Sequence, residues 1–227
     1  MSGHSKWATI HRQKEVKDAK RGIMFTKLGR AISVAVRAGR GVEEVVERAR
    51  QYNMPKENIN RAIERASGGE RLEEAMFEGF LPGGAAVLIQ TLSDNHLRAG
   101  QAVREVLERS GGTLGSTGSV SYMFVTNGEL RIKNHNLNDE LELQIIDLGV
   151  EDIVKDMDDW TIYCDPKKTS TIKEQIAALG CQIETSELIM RPNTLVEVDA
   201  ETEAKIEAIL AKLEDLDDVQ KVYTNYN

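Results

Sequence analysis

Between Glu129 and Met190 the chain alternates apolar runs of strand length with helical stripes, and this order constrains the fold more than any other feature. Glu129–Lys133, Glu151–Asp156, Trp160–Cys164 and Gln182–Met190 read as strands, and Asp139–Leu148 and Thr169–Leu179 as helices. The sequence of elements is βαββαβ, the split βαβ or ferredoxin-like order. Two incomplete pieces flank it. Ala85–Leu92, His96–Arg109 and Val120–Thr126 read as strand, helix, strand, with Leu97, Val103 and Leu107 facing inward on the helix. Thr194–Val198, Glu201–Leu213 and Val219–Thr224 repeat that order. Joined, the two pieces form a second module into which the complete one is inserted; a single long mixed sheet is the alternative. Asn127-Gly128 and Arg191-Pro192-Asn193 then read as the short connectors that such an insertion needs.

Upstream, the period is helical. Ile23, Leu28, Ile32 and Val36 form one stripe, Val42, Val45, Val46, Ala49 and Tyr52 a second, and Ile59, Ala62, Ile63 and Ala66 a third. Gly39–Gly41 and Gly68-Gly69 end the first and third, and Pro55 sits where a first helical turn tolerates it. Three such short helices must pack on one another to bury their stripes. Met76, Glu78 and Phe80 then alternate, and Leu81-Pro82-Gly83-Gly84 turns the chain. The expected fold is α+β: an N-terminal three-helix domain followed by two ferredoxin-like α/β modules, one inserted within the other. The expected domains are 1–70 (basic arm and helices), 71–127 plus 192–227 (split α/β) and 128–191 (inserted α/β).

Charge is segregated along this plan. The first forty residues carry ten basic and two acidic side chains, a formal +8, whereas the whole chain is −8, leaving −16 on residues 41–227. Folding does not require such a division. A local positive field suits a polyanion, either nucleic acid or an anionic membrane. Lys14, Lys17 and Lys20-Arg21 recur three or four residues apart and share a face if helical, and Lys27 and Arg30 continue the run opposite the apolar stripe. A solvated face is the plainer explanation of such a run, but the near absence of acids weakens it. The membrane reading is weaker, because few large apolar groups remain for insertion. Trp7, beside Lys6, either stacks on a base or pins the arm to the helices.

Other chemistry is not signalled. Gly111–Ser119, with Gly112, Gly115 and Gly118, follows a helix and precedes a strand, the reverse of a P-loop, and lacks a lysine. It reads as a wide turn needing positive φ at several positions, or as a surface for a large partner. Cys164 and Cys181 are too far apart for a CxxC pair and read as small buried strand residues. The four histidines are scattered, and neither Asp156/Asp158/Asp159 nor Asp215/Asp217/Asp218 has calcium-loop spacing, so these acids read as solvated turns and no metal or other cofactor is expected. There is no nucleophile elbow, HExxH or Walker lysine, so no catalytic residue is assigned, although carboxylates in a cleft could still form one. No apolar run reaches membrane-spanning length and the start of the chain has no signal-like core, so a cytoplasmic protein is expected.

The residues also carry a resemblance. Gly3-His4-Ser5-Lys6-Trp7-Ala8, Asp18-Ala19-Lys20-Arg21-Gly22, Phe25-Thr26-Lys27-Leu28, Asn53-Met54-Pro55-Lys56, Glu78-Gly79, Pro82-Gly83-Gly84 and the Gly111–Val120 segment closely resemble the YebC/PmpR family. The chain departs from that pattern at Gln13, where the family is basic, and after Gly39, where it is shorter. The resemblance implies three domains and non-enzymatic nucleic-acid binding. Members are described as probable transcriptional regulatory proteins, and some relatives as ribosome-associated translation factors acting at difficult sequences such as proline runs. The expected contacts to DNA or ribosomal RNA are Lys6, Trp7, Arg12, Lys14, Lys17, Lys20, Arg21, Lys27 and Arg30. Gly83, Gly84, Gly112, Gly115 and Gly118 are the candidate partner loops, and the oligomeric state is left open.

Overall fold

The computed structural model describes residues 18–39, 41–66, 72–133, 138–156 and 159–227. Among the described residues, three helices come first: α1 (Asp18–Ala38), α2 (Val42–Gln51) and α3 (Lys56–Ala66). Leu28 and Ile32 of α1 close on Ala49, Met54, Ile59 and Ala62 to make a small core. Polar bonds add direction to that burial. The Ser33 hydroxyl donates to the Ala62 carbonyl at 2.8 Å, and Arg37 Nε–H donates to that of Ala66 at 2.9 Å, so α1 is stitched along α3. At the end of α2, Asn53 adopts a left-handed backbone at φ 56°. Its N–H bonds the Arg50 carbonyl, and the Met54 N–H bonds that of Ala49. This is a Schellman stop, which satisfies the last helical carbonyls and buries Met54.

Phe124–Thr194 form one compact unit. Strands β4 (Phe124–Lys133), β5 (Asp152–Asp156), β6 (Asp159–Cys164) and β7 (Gln182–Pro192) make an antiparallel sheet in the order β5-β6-β4-β7. Helices α5 (Asp139–Asp147) and α6 (Thr169–Ala178) share one face, where Leu130, Ile132, Ile145, Ile162, Ile172 and Ile176 form the core. This is the ferredoxin-like order. Cys164 and Cys181 are buried there as free thiols.

The unit begins at Phe124 rather than at 128, because Asn127-Gly128 is not a connector. Both residues lie inside β4, paired with Ile189 and Leu188. Gly128 is glycine because α6 crosses there: a Cβ would sit 2.0 Å from the Thr169 hydroxyl. Likewise β7 runs on through Arg191 to Pro192, and the lost N–H of Pro192 is tolerated at the end of an edge strand.

The other unit joins the helical domain to the split module, which closes with Leu195–Asn227. Its antiparallel sheet has the order β3-β1-β2-β8, from β1 (Glu73–Phe80), β2 (Ala86–Ser93), β3 (Thr113–Leu114) and β8 (Val219–Thr224). Helices α4 (His96–Arg109) and α7 (Ala200–Glu214) cover it around Val87, Ile89, Val103, Leu107, Ile206 and Leu210. Two helices on four strands are present, but two of the strands differ from expectation. Val120–Thr126 is not an edge strand, since Ser121–Met123 is a 3-10 turn and Phe124 opens the inserted sheet. Thr194–Val198 makes only a single bridge, from Val196 to Tyr226. β1 and the two-residue β3 take their places. On α4 the inward stripe is Ala99, Val103 and Leu107, and Leu97 is 82% exposed.

Two ionic anchors organise this unit. In the first, the Lys27 ammonium donates to the Glu214 carbonyl at 2.5 Å. Arg30 Nη1 donates to the Asp217 carbonyl and to Asp218 Oδ1, both at 2.6 Å. Glu214 ends α7, where carbonyls lack helical partners and a cation is favoured. Asp218 also pairs with Arg98 at 3.3 Å. Arg98 in turn holds the Asp94 carboxyl below its ordinary range. The acidic turn is therefore an anchor rather than a solvated one, and Asp159 of the other expected turn pairs with Arg131.

In the second anchor, Glu78 of β1 is only 4% exposed. Its carboxylate accepts from the N–H groups of Gly118, Val120 and Ser121 at 2.7, 2.7 and 2.9 Å. Burial alone pushes the Glu78 carboxyl up, but the donors from the loop outweigh it and the net direction is down.

Both anchors predict measurable behaviour. Asp218→Asn leaves Arg30 with a weakened partner and is expected to lower unfolding stability by about 1–3 kcal/mol in chemical denaturation. Glu78→Gln is expected to cost a similar amount, about 1–3 kcal/mol, because an amide presents its own donors to three N–H groups. The stability that ionised Glu78 contributes is present above its ordinary value of 4.5 and is lost as pH falls through its lower folded value. The gap between wild type and Glu78→Gln should therefore be full at neutral pH and close in strong acid. A gap that stays constant across that range would overturn the assignment.

Candidate nucleic-acid interface

The basic residues are distributed unequally by the fold. Lys6, Trp7, Arg12, Lys14 and Lys17 lie outside the described residues. Lys20 and Arg21 stand in the first turn of α1, and Arg21 is exposed. Lys27 and Arg30, expected on the same open face, are turned inward instead. Lys27 is 9% exposed, and both side chains are engaged by the α7–β8 turn. Backbone carbonyls and one carboxylate hold them where a phosphate contact was expected. Sequence periodicity missed this because an anchor cation and a surface cation share the same spacing on the helix.

At the Arg21 end, α1 and the end of α2 form an open cleft of about 130 Å³ lined by Arg21, Met24, Phe25, Gln51, Tyr52 and Asn53. Phe25 and Tyr52 also pack on the helical core, which fixes their rings. Arg50 and Lys56, both exposed, bracket the Gln51–Pro55 segment. None of the lining residues is acidic. The cleft had one signal in the sequence, the Asn-Met-Pro run at 53–55, where asparagine takes a left-handed helix stop usually given to glycine.

The glycine segments form a second surface. The side of Gly112 faces the Phe80 carbonyl, where a Cβ would come within 2.8 Å, and that of Gly111 faces Pro82. Thr113 and Leu114 pair with Phe80 and Gly79. The Pro82–Gly84 turn and the Gly111–Gly118 loop are thus neighbours at one end of β1. Positive φ is needed at Gly83, Gly84, Gly111 and Gly118 but not at Gly112 or Gly115, which are small because other atoms approach closely. Glu78 fixes the loop from beneath, and Ser116, Thr117 and Tyr122 remain exposed around it. No charged residue occurs from Ser110 to Phe124, so this surface offers backbone and hydroxyl groups rather than cations.

The Arg30 anchor and the glycine surface lie at opposite ends of β2: Leu92 accepts from Arg30, and the Pro82–Gly84 turn leads into Ala86. The six residue steps from Ala86 to Leu92 separate them by roughly 20 Å. Among the described residues there is no group of three or more candidate metal-ligating side chains, and no helix is long and apolar enough to cross a membrane.

Comparison with known proteins extends to the whole chain. A family model described as the TACO1/YebC N-terminal domain matches residues 5–69, and one described as the TACO1/YebC second and third domain matches residues 72–226. A "probable transcriptional regulatory protein" of Chloroflexus aurantiacus is 42% identical over 99% of this chain and 95% of its own. One of Lactiplantibacillus plantarum with the same description is 39% identical over 100% and 99%. The crystal structure of a conserved hypothetical protein from Aquifex aeolicus superposes with a TM-score of 0.88 at 38% identity, covering 98% of this chain and 97% of that one. Fold, length and domain matches agree: the chain belongs to the TACO1/YebC family.

Proposed function

We propose that this chain is a non-enzymatic, nucleic-acid-binding regulator of gene expression acting in the cytoplasm. The observation that carries the reading is the charge division, +8 on residues 1–40 against −16 on the remainder. Lysine and arginine in that number neutralise phosphates and release counterions, giving affinity without sequence choice. With Lys27 and Arg30 engaged by the protein, the contacts fall to Lys6, Arg12, Lys14, Lys17, Lys20 and Arg21, with Trp7 as a stacking group. The relatives' description as transcriptional regulators supports duplex DNA as the target.

A second reading, ribosomal RNA within a ribosome, has its own support. A duplex gripped by the N-terminal segment would meet repulsion from the acidic bulk. An uncharged glycine surface some 20 Å from the Arg30 anchor suits a large partner with both RNA and protein to offer.

Sedimentation through a sucrose gradient with and without ribonuclease separates the two readings. Co-sedimentation with ribosomal subunits, abolished by Lys20→Glu with Arg21→Glu, is the translation outcome. Free protein that retards promoter duplex in preference to competitor is the transcription outcome. In either case the double reversal should lower the salt slope of binding by about 0.7–0.9 for each phosphate no longer neutralised. Lys27→Gln and Arg30→Gln should instead lower thermal stability with little change in that slope. Binding to either partner that survives reversal of Lys20 and Arg21 unchanged would sink the assignment.

A further inference from the structure

We infer that the cleft between α1 and the end of α2 receives an unpaired base of a single-stranded polynucleotide; this rests on the nucleic-acid-binding reading and gives it a specific contact. Arg21, Met24 and Phe25 project from one turn of α1, and Gln51, Tyr52 and Asn53 come from the last turn of α2 and its stop. The chemistry of the lining selects the occupant. The Phe25 and Tyr52 rings are each half-buried on the core cluster, so their remaining surface is held in place for stacking. Gln51 and Asn53 each carry a carboxamide, which offers donors and an acceptor to the edge of a base. Arg21 supplies a planar cation that suits the neighbouring phosphate or the face of the ring. In a duplex the base edges are already paired, so these groups favour an unpaired strand.

Asn53 is the most pointed feature. At φ 56° its backbone occupies the left-handed region that glycine adopts at lower cost. The helix stop alone would be served better by glycine. Asparagine retains a carboxamide at the rim of the cleft while still tolerating that conformation. The surroundings match the charge of a strand: Arg50 and Lys56 are exposed on either side of the segment, and no acid lines the cleft.

The test uses the full chain and a single-stranded RNA of roughly twelve nucleotides containing one 2-aminopurine. The same RNA annealed to its complement and free AMP serve as comparison ligands. Wild type should quench the 2-aminopurine on binding the strand, and more strongly than with the duplex. Tyr52→Leu should abolish the quenching and weaken strand binding roughly 5- to 150-fold, leaving duplex binding little changed. Asn53→Gly should hold or raise the melting temperature yet weaken strand binding, a combination that a purely structural role would not give. If Tyr52→Leu does not fold, Asn53→Gly decides alone. Variants that bind the strand as wild type does overturn the base site while the nucleic-acid reading stands. AMP binding as tight as the strand overturns the polynucleotide occupant. Wild-type protein that binds neither strand nor duplex overturns both readings together.

Discussion

The α7–β8 turn depends on cations from another part of the chain. Helix α7 ends at Glu214, whose carbonyl has no helical partner, and the acidic turn that follows returns the chain to β8. Lys27 and Arg30 supply the missing donors, and Asp218 supplies the countercharge. Arg98, from the start of α4, completes the cluster from the other side. Through it the position of α1 is tied to both covering helices of the split sheet. The helical core alone buries few large side chains, so without this anchor the placement of α1 on the split module would rest on little else.

That constraint changes the meaning of the basic segment. A run of lysines and arginines on a helix suggests a single surface, but here α1 divides its cations between two tasks. Those in its middle complete the backbone of α7, whereas Arg21 at its beginning stays exposed beside two aromatic rings and two carboxamides. On the proposed reading, affinity for a polyanion and stability of the fold fall to different residues of one element. The glycine loop follows a similar logic with the signs reversed. An anionic side chain, Glu78, gathers three backbone N–H groups and gives a chain segment rich in glycine a defined shape.

The legibility of each element in the sequence follows from its length and from what covers it. The inserted module could be read because its strands are apolar on the helix side and its helices carry regular stripes. His96–Arg109 is expected to its end residues, and the structure caps it with Asn95. The split module was harder. β1 carries Glu73, Glu74 and Glu78, so its pattern looks too polar for a central strand, yet it pairs with β2 along its whole length. β3 has two residues, too few to show any period. The apolar run at 120–126 was real, but local pattern does not reveal that one unit ends at Met123 while Phe124 opens another sheet. Asn127-Gly128 misled for a related reason. Glycine there answers to the crossing of α6, a contact from a distant part of the chain that a turn signal cannot carry.

The candidate interface was legible only as far as charge is legible. Net charge and its division along the chain are properties of the sequence, and they point to a polyanion whatever the fold. Which cations can reach that polyanion depends on which backbone groups the fold leaves without partners. Lys27 and Arg30 were assigned to the surface because nothing local distinguishes them from Arg21. The distinction comes from the end of α7, 187 residues downstream. The converse holds for Asn53. Its value cannot be seen in its charge, since it has none, but in its conformation, because a left-handed helix stop filled by asparagine instead of glycine keeps a side chain where the backbone would do better without one. A basic stretch is therefore best read by first subtracting the cations that helix ends and acidic turns require, and then asking which uncharged neighbours surround the remainder. Among the described residues, Arg21 is exposed at the cleft, and its neighbours there are rings and amides.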